Sequence, residues 1–271
     1  MTYNPVVISP SGADWLNVVQ ITDPHISPLQ DTIKGMDTAA SLECIINAIN
    51  LEPDRPDIIL ATGDLVHEPS ANAYSKIKDL LQKFTCPVFC LPGNHDNYTM
   101  MQNTLNEGRV STSKVIVAGN WKFVLLDSVV TGREEGYLEE SELSFLQEQL
   151  NSKDEKFLVI CLHHHPVIID SPWMDKMVVA NGSEFLDMVK TNQLVKCILW
   201  GHIHQEFTSY LEHILLLGSP STCIQFKPNT SKFIKDILPP GFRKFKFFSD
   251  GHISSTLHWL DTSVEHDTVR W

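Results

Sequence analysis

The chain has 271 residues, 42% of them hydrophobic, and a formal net charge of −12. That length suits one large α/β domain, or one domain with a small appendage, and it lets the chain bury most of its apolar surface. The charge argues against a nucleic-acid partner gripped through its phosphates, because Lys and Arg are scattered and form no basic face. No apolar run approaches the ~20 residues of a membrane helix. The start, Met1-Thr2-Tyr3-Asn4-Pro5, lacks the basic-then-apolar pattern of a secretory signal. The six cysteines, Cys44, Cys86, Cys90, Cys161, Cys197 and Cys223, sit mostly in apolar patterns and read as reduced core thiols of a cytoplasmic protein.

Strands and helices are expected to alternate through the first two hundred residues. Val18 to Ile21 is a short strand running into Asp23. Met36 to Leu51 carries Leu42, Ile45, Ile46 and Ile49, an apolar stripe of helical spacing. Ile58 to Ala61 is a continuous apolar run, as in a strand buried on both faces, and it ends at Gly63-Asp64. A helix over Ala71 to Phe84 leads to a strand over Val88 to Leu91, which ends at Pro92-Gly93. Phe123 to Leu126 is a strand ending at Asp127, followed by a helix over Glu142 to Leu150. A strand over Phe157 to Ile160 runs into three histidines. A helix near Ser183 to Lys190 precedes the strand Cys197 to Trp200. Beyond Phe207 the pattern changes to short strands at Leu211 to Leu217, Phe245 to Phe248 and Ile253 to Leu260. The alternation predicts a layered α/β fold with helices outside.

Five short motifs close these strands: Asp23-Pro24-His25, Gly63-Asp64, Gly93-Asn94-His95-Asp96, His163-His164-His165-Pro166 and Gly201-His202-Ile203-His204. The carboxyl ends of strands are where layered α/β folds carry their sites. Asp23 and His25, like His202 and His204, are two apart, so both side chains of each pair face the same way on extended backbone. The glycines before Asp64, Asn94 and His202 fit tight turns that aim the side chains into a shared cleft. Together the motifs hold enough oxygen and nitrogen donors for two metal ions side by side. A site without thiolates suits Fe, Mn or Zn and hydrolytic chemistry rather than a closed structural zinc. Each motif alone could be turn chemistry; that does not explain histidine at four of five strand ends.

The motif order resembles the calcineurin-like metallophosphoesterases: D-x-H, G-D, G-N-H-D/E, H-x-P, G-H-x-H, all intact between Asp23 and His204. The surrounding phrases, and Ser221 to Pro228, resemble the class III 3′,5′-cyclic-AMP phosphodiesterases. The resemblance implies a single domain with an α/β/β/α sandwich. Its core would span 15–218, a cap or flap-like segment 219–243, and C-terminal strands 244–262. It implies that Asp23, His25 and His204 bind one divalent metal, Asn94, His164 and His202 a second, with Asp64 bridging. His164 is selected from the run by the H-x-P pattern. His163 is expected to pack against the strand end, and His165 to be a structural neighbour. His95 would stand free of the metals, steadying the phosphoryl oxygens or protonating the leaving group.

The implied activity is hydrolysis of 3′,5′-cyclic AMP to AMP by a hydroxide between two metals, Fe or Mn, with Zn as an alternative. Substrate would be contacted by His25, Asp64, Asn94, His95, His164, His204 and His67. Another nucleotide or phosphoester on the same two-metal site is the alternative reading. The implied protein is cytoplasmic, a monomer or homodimer, without a nucleic-acid or membrane partner. Asp127 is a candidate support for the donors. His213, His252, His258 and His266 read as surface or packing residues, and 226–242 as either a flap, a dimer contact or an ordinary connection.

Overall fold

A computed structural model describes residues 4–12, 14–29 and 32–260. After β1 (Val6–Ile8), the chain alternates through β2 (Trp15–Ile21), α1 (Thr38–Leu51), β3 (Ile58–Thr62), α2 (Ala71–Leu81), β4 (Val88–Leu91) and α3 (Tyr98–Leu105). Then come β5 (Val110–Ser111), β6 (Val115–Ala118), β7 (Trp121–Leu125), α4 (Glu140–Leu150), β8 (Phe157–Cys161), α5 (Gly182–Val189) and β9 (Val195–Trp200). Four strands finish the described chain: β10 (Phe207–Leu211), β11 (Ile214–Gly218), β12 (Gly241–Phe248) and β13 (Ile253–Trp259). The first three helices start where side chains cap them: Asp37 accepts from Ala40 N–H, Ser70 from Ala73 N–H and Asn97 from Met100 N–H.

The strands form two sheets, one of order β1-β6-β7-β8-β9-β11-β10 and one of order β13-β12-β2-β3-β4-β5. Alternation along β3 shows how the layers pack. Ile58 and Leu60 face the other sheet, among Phe123, Val159 and Leu199. Ile59 and Ala61 face the helices, among Leu42, Ile45 and Ile77. On the far side Leu146 of α4 and Phe185 of α5 cover Ile160 and Ile198. The result is the expected α/β/β/α sandwich, with one core between the sheets and one beneath each helical layer.

Parallel pairing brings the functional strand ends to one rim. In one sheet Ile21 pairs with Ala61 and Thr62 with Leu91; in the other, Leu125 pairs with Cys161 and Cys161 with Leu199. Buried Gln20 ties the rims together, donating to Thr62 Oγ1 at 2.9 Å in its own sheet and to Trp200 O at 3.1 Å in the other. Among the described residues no helix is long and apolar enough to cross a membrane.

Several sequence expectations change. The single strand over Leu211 to Leu217 is a hairpin, β10–β11, with Leu211 paired to Ile214 and Glu212 at φ 52° in the turn. The C-terminal strands are not an addition: β12 pairs antiparallel with β2, Arg243 opposite Gln20, and β12 takes in Gly241 to Arg243 from the expected flap. The helix after Ala71 stops at Leu81, and α3, β1, β5 and β6 had no counterpart in the sequence reading. His266 lies outside the described residues.

Candidate metal centre

One offset organises the site. Asp23, Asp64, His163 and His202 each lie two residues past the last residue of a strand, respectively β2, β3, β8 and β9. Asn94 lies three past β4, where Gly93 intervenes. Gly63 adopts φ 94°, which suits the tight turn the sequence implied. Gly93 and Gly201 have no positive φ and serve another need. A Cβ on Gly93 would overlap Asp64, and one on Gly201 would overlap Thr22 Oγ1. Their requirement is close approach between loops.

The side chains converge in two buried groups. In the first, His204 Nε2 lies 3.2 Å from Asp23 Oδ1 and 3.2 Å from His25 Nε2, and His25 Nε2 lies 3.5 Å from Asp64 Oδ2. In the second, His163 Nε2 lies 3.2 Å from Asn94 Oδ1 and 3.4 Å from Asp64 Oδ1. His163, His164 and His202 present nitrogens within 4.8 Å of one another. Asp64 therefore offers one oxygen to each group.

His163 sits differently from its sequence reading. Its Nε2 faces Asp64, Asn94 and, at 3.9 Å, Asp23, so it stands among the donors rather than against the strand. Its neighbour His164 is held through Nδ1 by Ser128 Oγ at 2.8 Å, and its Nε2 is buried without a partner. The place of His163 follows from the strand-end offset it shares with Asp23, Asp64 and His202, which only the observed end of β8 reveals. His165 is buried with neither ring nitrogen hydrogen-bonded and lies parallel to His202, ring centres 5.6 Å apart.

Backbone carbonyls orient the imidazoles. His204 Nδ1–H donates to Ile224 O at 2.7 Å, and His163 Nδ1–H to Thr62 O at 2.9 Å. A carbonyl only accepts, so the proton sits on Nδ1 and Nε2 is turned to the site. Asp23 accepts from the His202 N–H and from Thr22 Oγ1–H.

Burial opposes charge here, and the neighbours decide. It pushes the Asp64 carboxyl up, but the imidazoles of His163 and His25 outweigh it and hold the group well below the usual carboxylate range. Asp23 is likewise lowered by His204 and His163 against burial. Burial works against a charged His163, yet the Asp64 and Asp23 carboxylates raise it to about 9. A proton on His163 and a cation beside it answer the same need of two buried carboxylates. Burial takes His25 down to about 3, and burial with neighbouring imidazoles puts His164 and His202 well below the usual value. These three rings are neutral and keep nitrogen lone pairs to offer.

His95 stands at the mouth. Its Nδ1–H donates to the His67 carbonyl at 2.8 Å, and its backbone N–H donates to Asp64 Oδ1 at 2.9 Å. The His67 ring stacks on His95, centres 5.1 Å apart, so its carbonyl rather than its nitrogen makes the polar contact. The cleft, about 170 Å³, is lined by donor residues and by Glu134, Trp173, Met174, Met177 and Phe226. Of these five, only Phe226 fell within a segment that the sequence singled out, Ser221 to Pro228. Asp127 does not join the donors; its carboxylate accepts from Val129 N–H at 2.9 Å. His213 bonds Asn192 O, His258 stacks on Phe242 and His252 lies by Phe248, as packing residues do. All six cysteines are free.

The donor set fits divalent cations. It joins carboxylate, amide and imidazole donors without thiolate, and His164 Nε2 and His202 Nε2 are buried polar atoms with no protein partner. The comparisons agree. A "3′,5′-cyclic adenosine monophosphate phosphodiesterase CpdA" of Pseudomonas aeruginosa is 38% identical over 93% of this chain and 94% of its own. One of Escherichia coli K12 is 34% identical over 96% and 95%. A solved dimetal phosphatase from Danio rerio, 14% identical, superimposes with a TM-score of 0.63 over 91% of this chain and 99% of that one, which speaks for the fold. The profile of the calcineurin-like phosphoesterases spans residues 16–206, from β2 to just past the last histidine motif, and the chain belongs to that family.

Proposed function

We propose that the chain hydrolyses 3′,5′-cyclic AMP to AMP at a dinuclear divalent-metal site. The observation that carries this reading is the pair of buried donor groups sharing Asp64 at the floor of one cleft. The substrate follows from relatives, 34–38% identical over more than nine-tenths of this chain, whose names state that activity.

Asp23, His25 and His204 would hold one ion, Asn94, His163 and His202 the other, and Asp64 both, with His164 beside the second. His163 takes the ligand place first assigned to His164 because its Nε2 faces Asp64 and Asn94. When bound, two divalent ions neutralise phosphodiester charge and make water a nucleophile near neutral pH. The protein's part is orientation: Thr62 and Ile224 carbonyls aim His163 and His204, and Thr22 and the His202 N–H steady Asp23. His95, anchored through Nδ1, has Nε2 left for the substrate; in its imidazolium form that atom would donate to a phosphoryl oxygen or to the departing ribose alkoxide. His67 contributes by fixing His95.

The oxygen and nitrogen donors suit Fe or Mn, and also Zn. We take residues 219–240, up to the start of β12, as a cap on the site; Phe226 from this segment lies parallel to His204 at 3.9 Å between ring centres. Six free cysteines, five of them buried, favour a reducing compartment, and we place the enzyme in the cytoplasm as a monomer or homodimer. A turnover comparison on metal-loaded protein tests the reading with cyclic AMP, cyclic GMP, 2′,3′-cyclic AMP and p-nitrophenyl phosphate. Cyclic AMP should be turned over with the highest kcat/KM; no hydrolysis of it would overturn the substrate assignment.

A further inference from the structure

We propose that Trp173 is the surface on which the purine base of the nucleotide stacks, with Met177 beside it. The inference rests on the cyclic-nucleotide reading and adds the base site to it. The cleft has two unlike walls. One is made of the imidazoles with Asp64 and Asn94, where an anionic phosphate belongs. The rest of the lining is Trp173, Met174, Met177 and Phe226, joined by the Glu134 carboxylate. A cyclic nucleotide has three parts, and only its base offers a broad flat apolar face, the kind that aromatic side chains hold by stacking. At about 170 Å³ the cleft is smaller than the ~300–1,000 Å³ of an enclosing pocket, so the base lies against a wall rather than inside a chamber.

The wall is built to hold its shape. Trp173 packs against Phe226 at 5.3 Å and against Phe233 at 5.7 Å, edge to face. Phe226 in turn lies flat on His204, so the platform and the phosphate-side donors are one packed unit. The backbone around Trp173 is tied down: Met174 and Asp175 N–H both donate to Ser171 O at 2.8 Å, and Asp175 Oδ1 accepts from Ile169 N–H. A rigid platform loses little freedom on binding. Stacking grows with ring area, so this wall favours purines over pyrimidines.

The test compares metal-loaded wild type, Trp173→Phe and Trp173→Leu, by KM for cyclic AMP and by competitive inhibition with AMP and CMP. Leu keeps an apolar side chain and removes the π face; Phe keeps a π face, and a thermal melt verifies that each variant is folded. Trp173→Leu should raise KM for cyclic AMP and the inhibition constant of AMP by ~10-fold. CMP should weaken by much less, so the AMP-over-CMP ratio collapses, and Trp173→Phe should stay close to wild type. Equal weakening of AMP and CMP, or no change in either, overturns the base site while cyclic AMP hydrolysis stands. Wild type that turns over no cyclic AMP overturns both readings together.

Discussion

Asp23, His25, Asp64, His202 and His204 hold φ between 46° and 65°, and they make up half of the ten non-glycine residues with positive φ among those described. That backbone costs roughly 1–2 kcal/mol per residue, so neighbouring contacts must hold it. Asp23 N–H donates to Gly63 O, His25 N–H to Asp64 O and His202 N–H to the Asp23 carboxylate. The strained residues brace one another, and the strain turns donors inward. At His163→Ala, bound metal and kcat/KM should fall beyond the ~10–100-fold typical of an outer partner; His164→Ala should stay within that range. Metal analysis with kinetics decides, and the opposite order would return the ligand place to His164. Asp127 offers a pH test. Burial raises its carboxyl to about 6 from a usual 3.8. A raised carboxyl favours the folded state while protonated, below about 3.8, and that contribution is lost as pH climbs through about 6. Asp127→Asn should therefore melt like wild type near pH 4 and become more stable than wild type by ~1–2 kcal/mol at pH 7. A gap independent of pH would refute the shift.

At the scale of elements, the loops after β3 and β4 are locked by one residue. Asp96 accepts from Leu65 and Gly93 N–H at 3.0 and 2.9 Å, from Val66 N–H at 3.3 Å, and from the Tyr74 hydroxyl of α2 at 3.0 Å. It joins the Asp64 loop, the Asn94 loop and the helix behind them. Asp96→Ala strands several buried donors, each costing ~1–3 kcal/mol, so unfolding in urea should show a loss of ~3 kcal/mol or more, with weaker metal binding. A loss below ~1 kcal/mol would mean the loops hold without the clamp. Elements with strong periodicity were legible: α1 buries Leu42, Ile45, Ile46 and Ile49, the stripe the spacing implied. α3 was not, because only Met101 and Leu105 of its eight residues are buried, too few to set a period. The β10–β11 hairpin was hidden because its turn, Glu212-His213, holds neither Gly nor Pro to mark a break before the apolar run Ile214 to Leu217.

For the whole molecule, two stacked sheets put strands far apart in sequence at one rim. Asp23 and His204 are 181 residues apart and meet at 3.2 Å. A cation that binds only the folded chain stabilises it by ~2.7 kcal/mol at a hundredfold excess over its Kd. Chelator-treated protein should accordingly melt ~5 °C or more below metal-loaded protein in calorimetry. Equal melting points would show that packing alone holds the donors together.

The sequence by itself determined the alternation of strands and helices, the chemistry of the donors and their places at strand ends. Each of those is written locally, in apolar runs and in the residues that stop them. Only the tertiary structure decided which ring of three histidines faces Asp64, because that depends on how far β8 runs before its loop begins. It alone also brought Trp173, which no motif marks, against Phe226, distant in sequence, in the lining of the donor cleft. Such a contact depends on packing between separate loops, and no local pattern carries that information.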